Sequence, residues 1–168
     1  MKFKRFALGL FVVVPLAVVG LALAAGAFDG AKSATARFHD LEKADAAGYK
    51  VQVFDVAGIT CIAQPGQGAM GIHMLNPSLL DGTVDAERPE LLVYEPKNNG
   101  ELKLVALEYL VFVGDWKGSA RPSLFGRSFD LVPAGNRYGL PPFYALHAWI
   151  WKPNPSGILN AWNPRVEC

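Results

Sequence analysis

Histidine is scarce in this chain: only His39, His73 and His147 occur among 168 residues. Cysteine occurs twice, as Cys61 and Cys168. No C-x-x-C, H-x-H or H-E-x-x-H is present, so no spacing motif announces a redox pair or a metalloprotease. No serine lies in a G-x-S-x-G context, and the glycines from Gly66 to Gly71 are not followed by a helix bearing Lys-Ser or Lys-Thr. A nucleophile elbow and a phosphate-cradling loop are thereby excluded. Asn98-Asn99-Gly100 offers no glycosylation acceptor, and the chain has no internal repeat or low-complexity tract. Charged residues make up 18% and nearly cancel, 16 basic against 15 acidic. Such a surface offers no field for nucleic acid or an anionic membrane.

What the chain does have is a leader. Lys2, Lys4 and Arg5 form a basic head, residues 6–24 are an uncharged apolar run, and Ala25-Gly26-Ala27 fits the small-residue pattern cut by signal peptidase. Residues 1–27 are therefore expected to be a signal peptide, with cleavage near Ala27 and Ala22-Leu23-Ala24 as a second possible cut. A retained anchor is the competing reading, since the run is long enough to span a bilayer. Pro15 interrupts it, however, and no basic cluster follows before Asp29. The expected address is secreted or periplasmic, with no membrane association after cleavage. Removing three basic residues leaves 13 against 15 acidic ones, a net charge near −2. Residues 28–168 have the size of one domain with its own core.

In an exported chain, two cysteines read as a disulfide rather than as unrelated thiols. A Cys61–Cys168 bridge would close a loop of about 107 residues and contribute about 4–5 kcal/mol in the chain-entropy model. It would also tie down an end that otherwise frays.

Residues 33–47 carry helical periodicity, with Ser33 or Thr35 placed to cap the start and Gly48 to end it. Phe38 and Leu41 are expected to be buried against a sheet. From Lys50 the period changes. Residues 50–63 read as one or two strands, 64–69 as a loop, 70–75 as a short strand stopped by Asn76-Pro77, and 78–90 as a surface loop. Residues 91–95 and 102–113 form a hairpin through Asn99-Gly100. Residues 114–138 are irregular, 143–151 make a last strand, and the tail from Pro153 wraps back toward Cys61. The fold class expected is α+β: an N-terminal helix on a curled, mostly antiparallel sheet or partial β-barrel, with long loops and one disulfide.

Strand alternation places the scarce groups. Glu108 shares a face with Leu104, Ala106, Leu110 and Phe112; His147 shares one with Phe143, Ala145, Trp149 and Trp151. Both faces of both strands are apolar, so Glu108 and His147 should be buried, and His73 is placed similarly between Ile72 and Met74. A buried carboxylate needs a cation, a metal, several donors or a proton. His73, His147 and Glu108 are therefore the candidate metal ligands, with Glu95 a fourth candidate. Two imidazoles and a carboxylate suit a divalent transition metal such as Zn²⁺, Fe²⁺, Mn²⁺ or Cu²⁺. Without metal the same groups could form a proton-transfer pair. Glu108, Trp149 and Tyr144 are candidate ligand-binding residues, from the aromatic cluster of Phe143, Tyr144, Trp149, Trp151 and Trp162. The bland alternative makes these polar groups satisfied members of the core, bonded to backbone or to Arg121 or Arg127. His39 sits at the edge of the helix's apolar face.

Several strings resemble a group of small exported bacterial proteins without assigned activity: Ala36-Arg37-Phe38-His39-Asp40-Leu41; Met70-Gly71-Ile72-His73 before Asn76-Pro77; and Leu146-His147-Ala148-Trp149-Ile150-Trp151-Lys152-Pro153-Asn154-Pro155 with Trp162-Asn163-Pro164 and Cys168. The resemblance implies export and no particular chemistry. The functional expectation is an exported protein binding a small ligand or metal ion in a His/Glu pocket. A metal-dependent or acid–base enzyme built on the same pocket is the first alternative, and a structural or interaction protein of the cell envelope the second. The residue 114–140 loop is a candidate lid.

Overall fold

The computed structural model describes residues 16–168, with side chains from residue 26 onward. The basic head and the first part of the apolar run lie outside these residues. Helix α1, Leu16–Thr35, contains the expected cleavage site within its span. No helix among the described residues is long and apolar enough to cross a membrane.

The helix expected over 33–47 is broken. α1 ends at Thr35, whose hydroxyl donates back to the Ala31 carbonyl at 2.7 Å rather than capping a new start. A 3₁₀ turn, Ala36–His39, follows, and Asp40 then caps α2, Leu41–Ala46, by accepting from the Glu42 and Lys43 amides. Asp40 competes for backbone donors as cap residues do. The break rotates Leu41 outward to 42% exposure, while Phe38 stays buried. Gly48, at φ +99°, ends α2 in the left-handed conformation.

The strands are β1 Val51–Gln52, β2 Cys61–Gln64, β3 Gly68–Leu75, β4 Leu91–Pro96, β5 Leu102–Phe112, β6 Ser123–Leu124, β7 Arg127–Ser128, β8 Asp130–Val132 and β9 Phe143–Ala148. The main sheet runs β1-β3-β4-β5-β9-β8, with β2 also on β3, every pairing antiparallel. It curls without closing into a barrel. The small β6–β7 hairpin and β8 lie in the segment expected to be irregular.

The two faces of the sheet are covered by different things. One face packs Tyr94, Leu107, Tyr109 and Leu146 against the helical segment through Ala31, Phe38 and Tyr49. Each such side chain removed from water contributes about 1.5–3 kcal/mol. Three buried tyrosines also tie this side down: Tyr94 donates to the Phe38 carbonyl, Tyr49 to Pro89 and Tyr109 to Ala86, each at 2.7 Å. The other face packs Val93, Val105, Ala106 and Trp149 against Val166 of the tail, and Leu91, Leu110, Phe143 and Ala145 against the segment around Tyr138.

Simple alternation along β5 fails at one point. The β4–β5 register jumps from Val93↔Ala106 to Tyr94↔Leu104, leaving Val105 as an extra residue. This bulge turns Leu104 to the helix side and places Val105 beside Ala106 on the opposite side. Glu108 therefore keeps Ala106, Leu110 and Phe112 as neighbours but not Leu104. Trp151 also departs from expectation, because β9 stops at Ala148 and Trp151 turns back to the helix side, edge-on to His39 at 4.5 Å. The tail does reach Cys61: the Cys61–Cys168 disulfide forms with Cα atoms 5.4 Å apart.

Candidate metal centre

His73, Glu108 and His147 meet on the face opposite the helices. Glu108 on β5 and His147 on β9 are directly paired residues, so their side chains leave the sheet side by side. His73 lies on β3, two strands from Glu108, with its own partner Val93 on β4. Strands so separated are about 9–10 Å apart, a span that the two side chains of His73 and Glu108 close over β4. Ala106 beside Glu108 and Ala145 beside His147 are small enough to leave room for two imidazoles.

His73 Nε2 lies 3.1 Å from Glu108 Oε2 and 3.1 Å from His147 Nε2. His147 Nδ1 faces Glu108 Oε1 at 3.6 Å. One donor atom from each residue lies within 4.8 Å of the others. All three are buried, at 3, 7 and 3% exposure for His73, Glu108 and His147. Two ligands about 2.0–2.1 Å from one ion, at 90–110° to each other, are about 2.9–3.4 Å apart. The 3.1 Å separations fall in that range.

The electrostatics favour ligand-competent forms. Burial alone would raise the Glu108 carboxyl, but the charges of His147 and His73 and the His73 hydrogen bond hold it below the ordinary carboxylate range. Burial pushes His147 down to about 4, against the upward pull of Glu108 and with the help of His73. At neutral pH an ionised carboxylate thus sits beside a neutral His147. With hydrogen on Nδ1 toward Glu108, His147 presents the Nε2 lone pair to the centre. Among the described residues no lysine or arginine pairs with Glu108.

The remaining candidates lie elsewhere. Trp149 flanks the centre, stacked on His147 at 6.1 Å, with its indole N–H donating to the Asn160 carbonyl. Tyr144 packs on the helix side of the sheet, near Arg121. Glu95 is buried between Lys97 and Lys152 and does not join the histidines. Arg127 pairs with Asp130 and the Leu159 carbonyl rather than with the buried acid. His39 remains on the helix side, where burial and then Lys103 lower it.

Sequence reasoning missed two features. Tyr138, from the loop after β8, closes over the centre, and that loop is held by Arg137 on Asp55 at 2.8 Å and by the Val56 amide on the Arg137 carbonyl. Nothing local marks Tyr138 for this role, since its partners are distant in sequence. The other feature is Glu90, buried with its Oε2 accepting from the Leu110 amide at 2.9 Å. Its position immediately before the apolar run 91–94 was the available signal.

Fold and site together define an α+β protein with a buried carboxylate–bis-imidazole centre on the face of a curled sheet. No protein-family model matches the chain, and neither a curated protein nor a solved structure matches it significantly.

Proposed function

We propose that this is an exported protein that binds one divalent first-row transition metal ion through His73, Glu108 and His147. The observation that carries the reading is the pair of 3.1 Å separations from His73 Nε2, to Glu108 Oε2 and to His147 Nε2, in a buried, mostly apolar setting. A two-imidazole, one-carboxylate set suits Zn²⁺, Fe²⁺, Mn²⁺ or Cu²⁺, and three protein ligands leave positions open for another molecule. A metal requires neutral imidazole and ionised carboxylate, the forms that His147 and Glu108 hold at neutral pH. The leader and the disulfide support an oxidising, extracytoplasmic address.

The test is metal analysis and calorimetric titration of protein purified without an affinity tag. One ion per chain is expected, with affinity reduced at least a hundredfold in His73→Ala and in His147→Ala. No ion above trace in the wild type, or unchanged affinity in both variants, would refute the reading.

A further inference from the structure

A cavity of about 130 Å³ opens against the centre on its His73 side. Its walls are hydrocarbon, among them Leu80, Leu91, Leu110, Phe112 and Leu140, except where His73, Glu108 and Tyr138 interrupt them. A second cavity of about 90 Å³ lies on the His147 side and shares Glu108, Tyr138 and Phe143 with the first. The carboxylate is thus approached from both sides, each side offering one imidazole.

Size and chemistry restrict the occupant. A dry apolar cavity of about 150 Å³ accommodates benzene, so about 130 Å³ fits a body of one six-membered ring. The hydrocarbon walls give nothing to a sugar, a nucleotide or a peptide, whose polar groups would be stranded there. All the polarity that a guest can meet lies at His73, Glu108 and Tyr138. The guest therefore carries its polar atoms at one end. The exposed surface beside it is apolar too: Leu140, 36% exposed, lines the cavity, and Val56, 75% exposed, sits against the same loop at Gly139.

We propose that this cavity binds a small, ring-sized hydrocarbon molecule ending in a single oxygen donor of the phenol or carboxylate class, with that oxygen directed at the metal centre. The choice of head group rests on the metal reading. A divalent ion held by one carboxylate and two neutral imidazoles leaves net positive charge, which attracts a phenolate or carboxylate. Without the ion, nothing at the cavity's polar end supplies that positive charge.

Phenol and toluene serve as probes, because they share the ring and differ in the oxygen. In zinc-loaded wild-type protein, phenol is expected to bind at least tenfold more tightly than toluene, read by ligand-observed NMR titration. After chelation the preference should disappear while weak toluene binding remains. Leu80→Trp and Leu140→Trp, at partly exposed positions on the rim, should each weaken both probes at least tenfold and leave zinc affinity within threefold. Absence of phenol binding to the zinc-loaded protein, or unaltered binding in both tryptophan variants, would overturn the cavity assignment while leaving zinc binding intact. Toluene binding with no zinc binding would instead overturn the metal reading, and the head-group assignment with it.

Discussion

The buried carboxyl of Glu90 makes the stability of the metal-free protein fall on the alkaline side of neutrality. Burial first, with smaller repulsions from Asp81 and Glu108, raises it from 4.5 to about 8, despite the Leu110 amide it accepts from. Tyr49 and Tyr109 are the other titratable neighbours, and both titrate far above this range. A raised carboxyl means that the folded state keeps a proton that the unfolded chain releases. Its contribution is complete below pH 4.5 and is lost as pH rises to 8, about 5 kcal/mol at 1.36 kcal/mol per unit. His147 acts in the opposite sense: lowered from 6.5 to about 4, it contributes fully above pH 6.5 and loses about 3 kcal/mol as pH falls toward 4. From pH 4.5 to 6.5 the two slopes cancel. Above 6.5 the His147 contribution is constant while that of Glu90 still falls, and stability should drop by about 2 kcal/mol by pH 8. Urea unfolding in chelating buffer at half-unit intervals would measure this. Glu90→Gln keeps an oxygen for the Leu110 amide but cannot ionise. It should show a curve that rises between pH 4.5 and 6.5 and is flat beyond. A flat wild-type curve from 6.5 to 8, or the same alkaline fall in Glu90→Gln, would refute the reasoning.

Further outcomes follow from the same structure. Replacing Cys61 and Cys168 together by alanine should lower stability by about 4–5 kcal/mol in the chain-entropy model, because the bridge spans 107 residues; a loss below 1 kcal/mol in urea titrations would contradict that. Gly71→Ala should cost about 2 kcal/mol or more, since residue 71 sits at φ +103° and an added Cβ would lie 2.7 Å from the Tyr94 carbonyl oxygen; thermal unfolding checks it. If the proposed export holds, intact mass of the protein recovered outside the cytoplasm should place its first residue at or near Phe28, whose ring stacks on Phe125 with centroids 4.1 Å apart. Phe28→Ala should then lower stability by about 1–2 kcal/mol, less than a fully buried phenylalanine would.

Much of the candidate site was legible because a polar residue in a strand that is apolar on both faces has few innocent explanations. Glu108 and His147 stood in such strands, and their direct pairing across β5 and β9 joined two segments that the sequence shows only as separate runs. His73 is marked with them by its place between Ile72 and Met74; what the sequence does not show is that it reaches Glu108 across an intervening strand, β4, rather than from a neighbouring one. The 114–140 loop is a candidate lid from sequence, but which of its residues would cover the centre was hidden. The loop that brings Tyr138 to the centre is tied down by the Arg137–Asp55 pair, 82 residues apart in sequence, and by the Val56 amide. The helix was misread for a local reason: Asp40 fits helical periodicity as a polar residue, but its side chain bonds the Glu42 and Lys43 amides and starts a second helix.

The bulge at Val105 shows how close the two faces are to being exchanged. Along β5, residues 107–112 alternate in register with β9, and residues 102–104 alternate in register with β4 on the opposite phase. Without the extra residue, one of those two stretches would have to present its side chains to the wrong face. The helix side would then lose Leu104, or Glu108 would turn away from the histidines into the apolar helix side. Val105 thus lets one strand serve two demands: a large apolar surface for the helices at its start, and an acid aimed at the opposite face farther along. That partition puts the helical segment on one side of the sheet and leaves the other side for a centre enclosed only by loops and the tail.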